Sequence, residues 1–142
     1  MKCKDAMKRW VISVSPHDPI FLAAERMMQH GVGFLPVCGA DNRPIGAITD
    51  RDIAIRAVAH RRSSSTAVEE VMSGDVLCLH EESELSRAED LMMDHCKARI
   101  ICTDDDGCVS GVISLSDVPS FENARKSGEV FARVAQREAQ TF

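Results

Sequence analysis

The chain of 142 residues contains no tyrosine, one tryptophan and five phenylalanines. So few aromatic faces leave no stacking platform for the bases of a single nucleic acid strand. No apolar run approaches the ~20 residues that a membrane-spanning helix needs. The opening Met1-Lys2-Cys3-Lys4-Asp5 lacks the apolar stretch of a secretory leader, so a cytoplasmic protein with no membrane contact is expected. Of the six cysteines, none stands in a C-x-x-C pair, which removes the zinc-ribbon and thioredoxin-like readings. Catalytic signatures are missing as well. There is no G-x-S-x-G elbow, no phosphate-cradling G-x-x-x-x-G-K-[S/T] loop and no nucleophile spaced with a base. The expectation is a protein that is not an enzyme.

What the sequence does hold is an ordinary globular composition, with 44% hydrophobic and 27% charged residues. The net charge of −5 is unevenly spread. Residues 1–66 carry ten Lys/Arg against six Asp/Glu, whereas residues 67–142 carry seven against sixteen. An acidic chain without a basic face argues against nucleic acid as a partner. Cys3, Cys38, Cys78, Cys96, Cys102 and Cys108 read as small buried hydrophobes in a reducing compartment. Four of them crowd into residues 78–108 with His80 and His95, which keeps a metal or redox site open as an alternative.

Shifted by 65 residues, the sequence aligns with itself without a gap. Met7-Lys8 falls on Met72-Ser73, and Val11-Ile12-Ser13-Val14 falls on Val76-Leu77-Cys78-Leu79. Ala23 meets Ala88, Met27-Met28 meets Met92-Met93, and His30 meets His95. Gly46-Ala47-Ile48-Thr49-Asp50-Arg51-Asp52 meets Gly111-Val112-Ile113-Ser114-Leu115-Ser116-Asp117. Nine positions are identical over residues 11–53. The chain is a duplication.

Each copy reads as strand, helix, strand, strand, helix. Val11–Ser15 is a short apolar strand, and Pro16-His17-Asp18-Pro19 turns into a helix. Ile20, Ala23, Ala24, Met27 and Met28 form the stripe of a half-buried helix that ends near Gly31. His30 and His95 close the corresponding helices and are expected as C-terminal caps. Phe34–Cys38 and Ile45–Thr49 are strands around a turn-rich connection. Asp50–Ala59 is a second helix with Ile53, Ala54, Ala57 and Val58 inward, and Arg56, His60, Arg61 and Arg62 complement its negative end. The second copy repeats this order around Asp104-Asp105-Asp106-Gly107. Residues 5–60 form repeat 1, 61–69 a linker, 70–121 repeat 2 and 122–142 a helical tail. In the tail, Val130, Phe131, Val134 and Ala135 lie at helical spacing and pack on the module or on a second subunit. About 60 residues are marginal alone, so two copies sharing a core with a cleft between them are expected.

The doubled G-x-x-[T/S]-x-x-D heptad has a local physical sense. Gly46 and Gly111 permit close backbone approach. Thr49 or Ser114, with Asp52 or Asp117, stands where strand passes into helix and can cap it. These heptads, together with Ala6-Met7, Val71-Met72 and Gly33-Phe34-Leu35-Pro36-Val37, resemble the cystathionine-β-synthase (CBS) domain. The whole chain resembles a tandem CBS pair, a stand-alone Bateman module, over residues ~5–121. Repeat 2 departs from the pattern at Ile101, where repeat 1 has Pro36.

The resemblance implies an α+β fold, α/β-like in its element order. Two β-α-β-β-α units related by a pseudo-two-fold pack through their sheets. It also implies a regulatory, signal-transducing role in which an adenosine-containing ligand occupies clefts drawing on both repeats. An ionised aspartate accepts hydrogen bonds only and so suits the two ribose hydroxyls. In cleft 1, Thr49, Arg51 and Asp52 would face Val76, Leu77 and Cys78 as an adenine wall, with Lys97, Ala98 and Arg99 toward phosphate. In cleft 2, Ser114, Ser116 and Asp117 would face Ile12, with Val32, Gly33 and Phe34 replacing the basic pair. The ligand class spans AMP, ADP, ATP, NAD and S-adenosylmethionine, held as a regulatory ligand, with no required cofactor and no metal. A homodimer acting on an effector protein completes the expectation. Two readings stay open beside it: a thiol- or zinc-dependent sensor on the same fold, and an interaction scaffold whose clefts hold no ligand.

Overall fold

The computed structural model describes residues 1–116 and 124–140, with side chains described for 128–136 of the last segment. Helices are α1 (Cys3–Ala6), α2 (Ile20–His30), α3 (Asp50–Asp52), α4 (Leu85–His95) and α5 (Ala124–Gln140). Strands are β1 (Phe34–Cys38), β2 (Pro44–Thr49), β3 (Cys78–His80), β4 (Arg99–Thr103) and β5 (Val109–Ser114). Among the described residues no helix is long and apolar enough to cross a membrane.

The chain divides into two compact units, and they do not follow the covalent repeats. One is Val11–Val76; the other joins Met1–Trp10 to Leu77–Phe142. The segment that precedes each repeat's first strand therefore completes the unit built from the other repeat. The hydrogen bonds make this reciprocity explicit at the 65-residue offset. Ile20 N–H donates to Thr66 O at 2.8 Å, as Leu85 N–H donates to Met1 O at 2.9 Å. Val68 N–H donates to Asp18 O at 2.8 Å, as Cys3 N–H donates to Ser83 O at 2.8 Å. Neither α2 nor α4 has a side-chain N-cap. The incoming segment supplies carbonyls for their orphan N–H groups instead.

The two signature glycines sit at the closest point of this exchange. A Cβ on Gly46 would lie 2.7 Å from Ser73 O and 2.8 Å from Met72 Sδ. A Cβ on Gly111 would lie 2.5 Å from Met7 Sδ and 2.9 Å from Lys8 O. Bridges Ala47–Ser73 and Lys8–Val112 run antiparallel beside them. The close approach expected of both glycines is present, and what approaches is the Met-containing segment.

In the Val11–Val76 unit, β1 and β2 pair antiparallel from Phe34–Thr49 to Cys38–Pro44. The expected first strand over 11–15 is reduced to one parallel bridge, Val14 to Val37. Val14 bonds β1 both ways, donating to Pro36 O at 3.0 Å and accepting from Cys38 N–H at 2.9 Å, and the next rung on either side would need the N–H that Pro36 and Pro16 lack. The core holds Val14, Ile20, Ala23, Met27, Leu35, Val37, Ile48, Ala57, Val68 and Val71. Helix α2 ends as expected, but the left-handed cap is Gly31, at φ 64°, one residue beyond His30. In α4 it is Cys96, at φ 50°, one beyond His95.

The expected second helix exists in three registers. Asp50–Asp52 is α-helical, Ile53–Ala57 has the wider π turn and Val58–His60 the tighter 3-10 turn. Ile53 is half-buried and Ala57 buried, but Ala54 is exposed and Val58 is 68% exposed. Residues four apart stack on one face, while each next residue lies about 100° round the axis. The stripe that faces the core is therefore narrower than the sequence pattern implied.

In the other unit, β3 pairs parallel with β4, and β4 pairs antiparallel with β5. Its core includes Cys3, Met7, Leu85, Met92, Ile100, Cys102 and Ile113. Val130 and Val134 of α5 are buried in it, so the tail helix packs on this unit. Phe131 and Ala135 are exposed.

Candidate functional site

The end of the β1–β2 hairpin gathers the first heptad. Thr49 stands opposite Phe34, and Asp50 N–H donates to Gly33 O at 3.0 Å. The backbone then turns from strand into helix at Thr49, whose φ of −116° is extended. Thr49 Oγ1 accepts from Asp52 N–H at 3.0 Å, and Asp52 Oδ2 accepts from Thr49 N–H at 3.0 Å. This reciprocal pair is a capping box. Asp52 Oδ1 lies 3.9 Å from Arg56 Nε, and the Asp52 side chain is only 14% exposed. Arg56 also reaches Val71 O at 3.3 Å and Met72 O at 3.1 Å.

A carboxylate has roughly four acceptor positions, and the cap uses one of them. The remaining ones are held in a fixed orientation beside a hydroxyl. Thr49→Val is expected to lose the cap and about 0.5–2 kcal/mol of stability in denaturant unfolding, with Thr49→Ser restoring it. A Thr49→Val protein as stable as the parent would contradict this role.

The corresponding end of the β4–β5 hairpin is built alike but furnished differently. Arg99 stands opposite Ser114, and Leu115 N–H donates to Ala98 O at 2.8 Å. Ser114 Oγ and Ser116 Oγ are 2.9 Å apart. Lys97, Ala98 and Arg99 are half-buried where the first hairpin has Val32, Gly33 and Phe34. One end thus carries Lys97 and Arg99 beside its hydroxyls, the other Val32 and Phe34 beside a hydroxyl and two carboxylates. Asp117 lies outside the described residues.

The remaining expected positions fall as follows. Ile12, Val76 and Leu77 are half-buried, Cys78 and Arg51 are exposed, and Leu77 O accepts from Ile101 N–H at 2.9 Å. Each unit therefore brings together residues that the sequence reading assigned to different clefts: Phe34 beside Thr49, and Arg99 beside Ser114.

Two residues escaped the sequence reading. Asp50 places its Oδ2 where a Gly33 Cβ would be, at 2.6 Å, and takes Arg51 N–H at 2.8 Å. Arg56 had been grouped with the basic helix end, yet the spacing Asp52-x-x-x-Arg56 already carried an i,i+4 pair. The Cys/His crowding of residues 78–108 does not converge. Among the described residues no three His, Cys, Asp or Glu side chains could hold a metal ion.

Comparison with known proteins matches the CBS domain twice, at residues 3–58 and 68–120. The CBS domain-containing protein YhcV of Bacillus subtilis is 38% identical over 124 residues, covering 87% of each chain. Protein MK0525 of Methanopyrus kandleri is 29% identical over 119 residues, which span 83% of this chain and 61% of that one. Among solved structures, Hypoxic Response Protein I, crystallised with two coordinated zinc ions, superposes with a TM-score of 0.77 at 25% identity. That alignment covers 87% of this chain and 100% of that one. The CBS domain pair of protein MJ0100, in complex with 5′-methylthioadenosine and S-adenosyl-L-methionine, gives 0.75 at 24% identity. It covers 84% of this chain and 94% of that one. The α+β fold is that of these pairs.

Proposed function

Because the chain belongs to the CBS domain family, we propose that it is a regulatory module whose ligand contains adenosine. The observation that carries this is the Thr49–Asp52 box. It holds an acceptor-only carboxylate, nearly buried, beside a hydroxyl, and that combination suits the vicinal diol of a ribose. The ligand of MJ0100 belongs to a protein whose likeness to this chain is one of fold, so the ligand class rests here on this chain's own residues. Lys97 and Arg99, half-buried in the other unit, are proposed in their own right as contacts for a phosphate group. Occupancy signals only through a difference in binding free energy between two conformations or assembly states. Exposed Phe21, Met28, Ile55 and Val58 support pairing with a second copy as the assembly that responds.

A thermal-shift series with AMP, ADP, ATP, NAD and S-adenosylmethionine tests this. Ligand at 100 times its dissociation constant adds about 2.7 kcal/mol. One of the five is expected to raise the midpoint. Asp52→Asn, whose amide oxygen still accepts from Thr49 N–H, is expected to keep the fold and lose the shift. Arg99→Ala should weaken a phosphorylated ligand and spare S-adenosylmethionine. No response to any of the five would overturn the reading in favour of a ligand-free scaffold.

A further inference from the structure

A pocket of about 320 Å³ opens in the Val11–Val76 unit, at the end of the β1–β2 hairpin away from the Thr49–Asp52 box. The five residues of β1 set the two ends about 13 Å apart. Val14 and Cys38, 2% and 6% exposed, form the floor of the pocket. Its walls carry two opposite charges, Asp18 and Arg26, both half-buried. Asp18 Oδ2 accepts from Ser15 N–H at 2.8 Å, and the Arg26 guanidinium donates to Ser13 O. Among the described residues neither charge has a salt-bridge partner. A guanidinium has five N–H donors and a carboxylate roughly four acceptor positions, so most of both sets is left for a ligand.

The other unit is an internal comparison. At the 65-residue offset, Ser15 and Ala40 of the pocket wall correspond to His80 and Asp105. His80 Nε2 and Asp105 Oδ1 are 2.8 Å apart, so side chains join strand to hairpin there. Ser15 and Ala40 are too short to meet, and the space between them is part of the pocket. Arg26 corresponds to Leu91, and Asp18 to Ser83. The fold therefore needs neither the gap nor the two charges, and half-buried charges without a counter-charge are unfavourable unless something pairs them.

We propose that this pocket binds a free α-amino acid with a small uncharged side chain, its carboxylate on Arg26 and its ammonium on Asp18. A guanidinium takes a carboxylate in two parallel hydrogen bonds. A simple anion would also meet Asp18, and a simple cation would also meet Arg26. One molecule carrying both charges satisfies both walls. Val14, Cys38 and Ala40 offer it only small apolar surfaces, and the volume is at the lower end for small-molecule pockets. The site lies on a different end of β1 from the nucleotide site proposed above and does not depend on it.

The test is a titration of the full-length, ¹⁵N-labelled protein with L-alanine, L-serine and L-valine at millimolar concentration, followed by NMR. At least one of the three is expected to shift the Ser15, Gly39 and Ala40 amides saturably. Propionate and ethylamine, each carrying one of the two charges, should bind at least about tenfold more weakly, since each forgoes a charge-assisted hydrogen bond. Two variants copy the other unit and so keep its packing. Arg26→Leu installs the counterpart of Leu91, and the pair Ser15→His with Ala40→Asp installs the bridge that closes the gap. Each is expected to remain folded, judged by its amide spectrum, and to lose the saturable shift. The absence of a saturable shift with all three amino acids would overturn the proposal. So would binding of propionate as tight as that of the amino acids, or unchanged binding by a folded variant. None of these readouts involves a nucleotide or Asp52, so their failure and that of the nucleotide reading are distinguishable.

Discussion

Gly111→Val is expected to be among the most destabilising single changes in the chain. The added Cβ alone would stand 2.5 Å from Met7 Sδ, 2.6 Å from Met7 Cγ and 2.9 Å from the Lys8 carbonyl. A methionine side chain can move aside, but a backbone carbonyl in a bridge cannot do so cheaply. Relief requires residues 7 and 8 to leave β5, breaking the bonds Lys8 N–H to Val112 O (3.0 Å) and Val112 N–H to Lys8 O (3.1 Å). Overpacking costs about 1–3 kcal/mol or more, and the lost hydrogen bonds add to it. Equilibrium unfolding in urea should show a lower midpoint, and hydrogen exchange should show Lys8 and Val112 amides losing protection together. Gly46→Val should do the same to Ala47 and Ser73. Unchanged midpoints in both would mean that the incoming segments do not contribute to the cores as described.

Ile100→Ala should cost about 2–5 kcal/mol, since Ile100 is 0% exposed beside Met92 and Ile113 in one core. Ile48→Ala should cost as much, being 0% exposed in the other core. The informative comparison is Val58→Ala. Its side chain is 68% exposed, so the change should stay within about 0.5 kcal/mol. Chemical denaturation of the three variants measures this directly. A Val58→Ala effect as large as that of Ile48→Ala would restore the broad inward stripe that the sequence pattern suggested.

The hairpins and α2 were legible because their signals are local. Short apolar runs around a turn-rich connection mark β1 and β2, three- and four-residue spacing marks α2, and Gly31 supplies a left-handed cap at no steric cost. The Thr49–Asp52 box was legible for the same reason, as capping depends on residues three apart. The first strand was not, because its ladder stops where Pro16 and Pro36 lack an N–H, and Pro36 lies on the partner strand, outside the local pattern. Nor was the exchange of segments. The offset paired Met7 with Met72 as equivalents, but which hairpin each one covers is a long-range relation that no local pattern encodes. Asp50 was overlooked because its counterpart, Leu115, carries no charge.

The division into Val11–Val76 and Met1–Trp10 with Leu77–Phe142 has a consequence for synthesis. The inner unit is contiguous and can close as soon as it clears the ribosome. The outer one cannot. Residues 1–10 are made about a hundred residues before their partners β4 and β5, an interval of several seconds at ~5–20 residues per second. Throughout that interval Cys3 and Met7 wait in water with nothing to cover them. A segment made well before its partners is among the last to find its place.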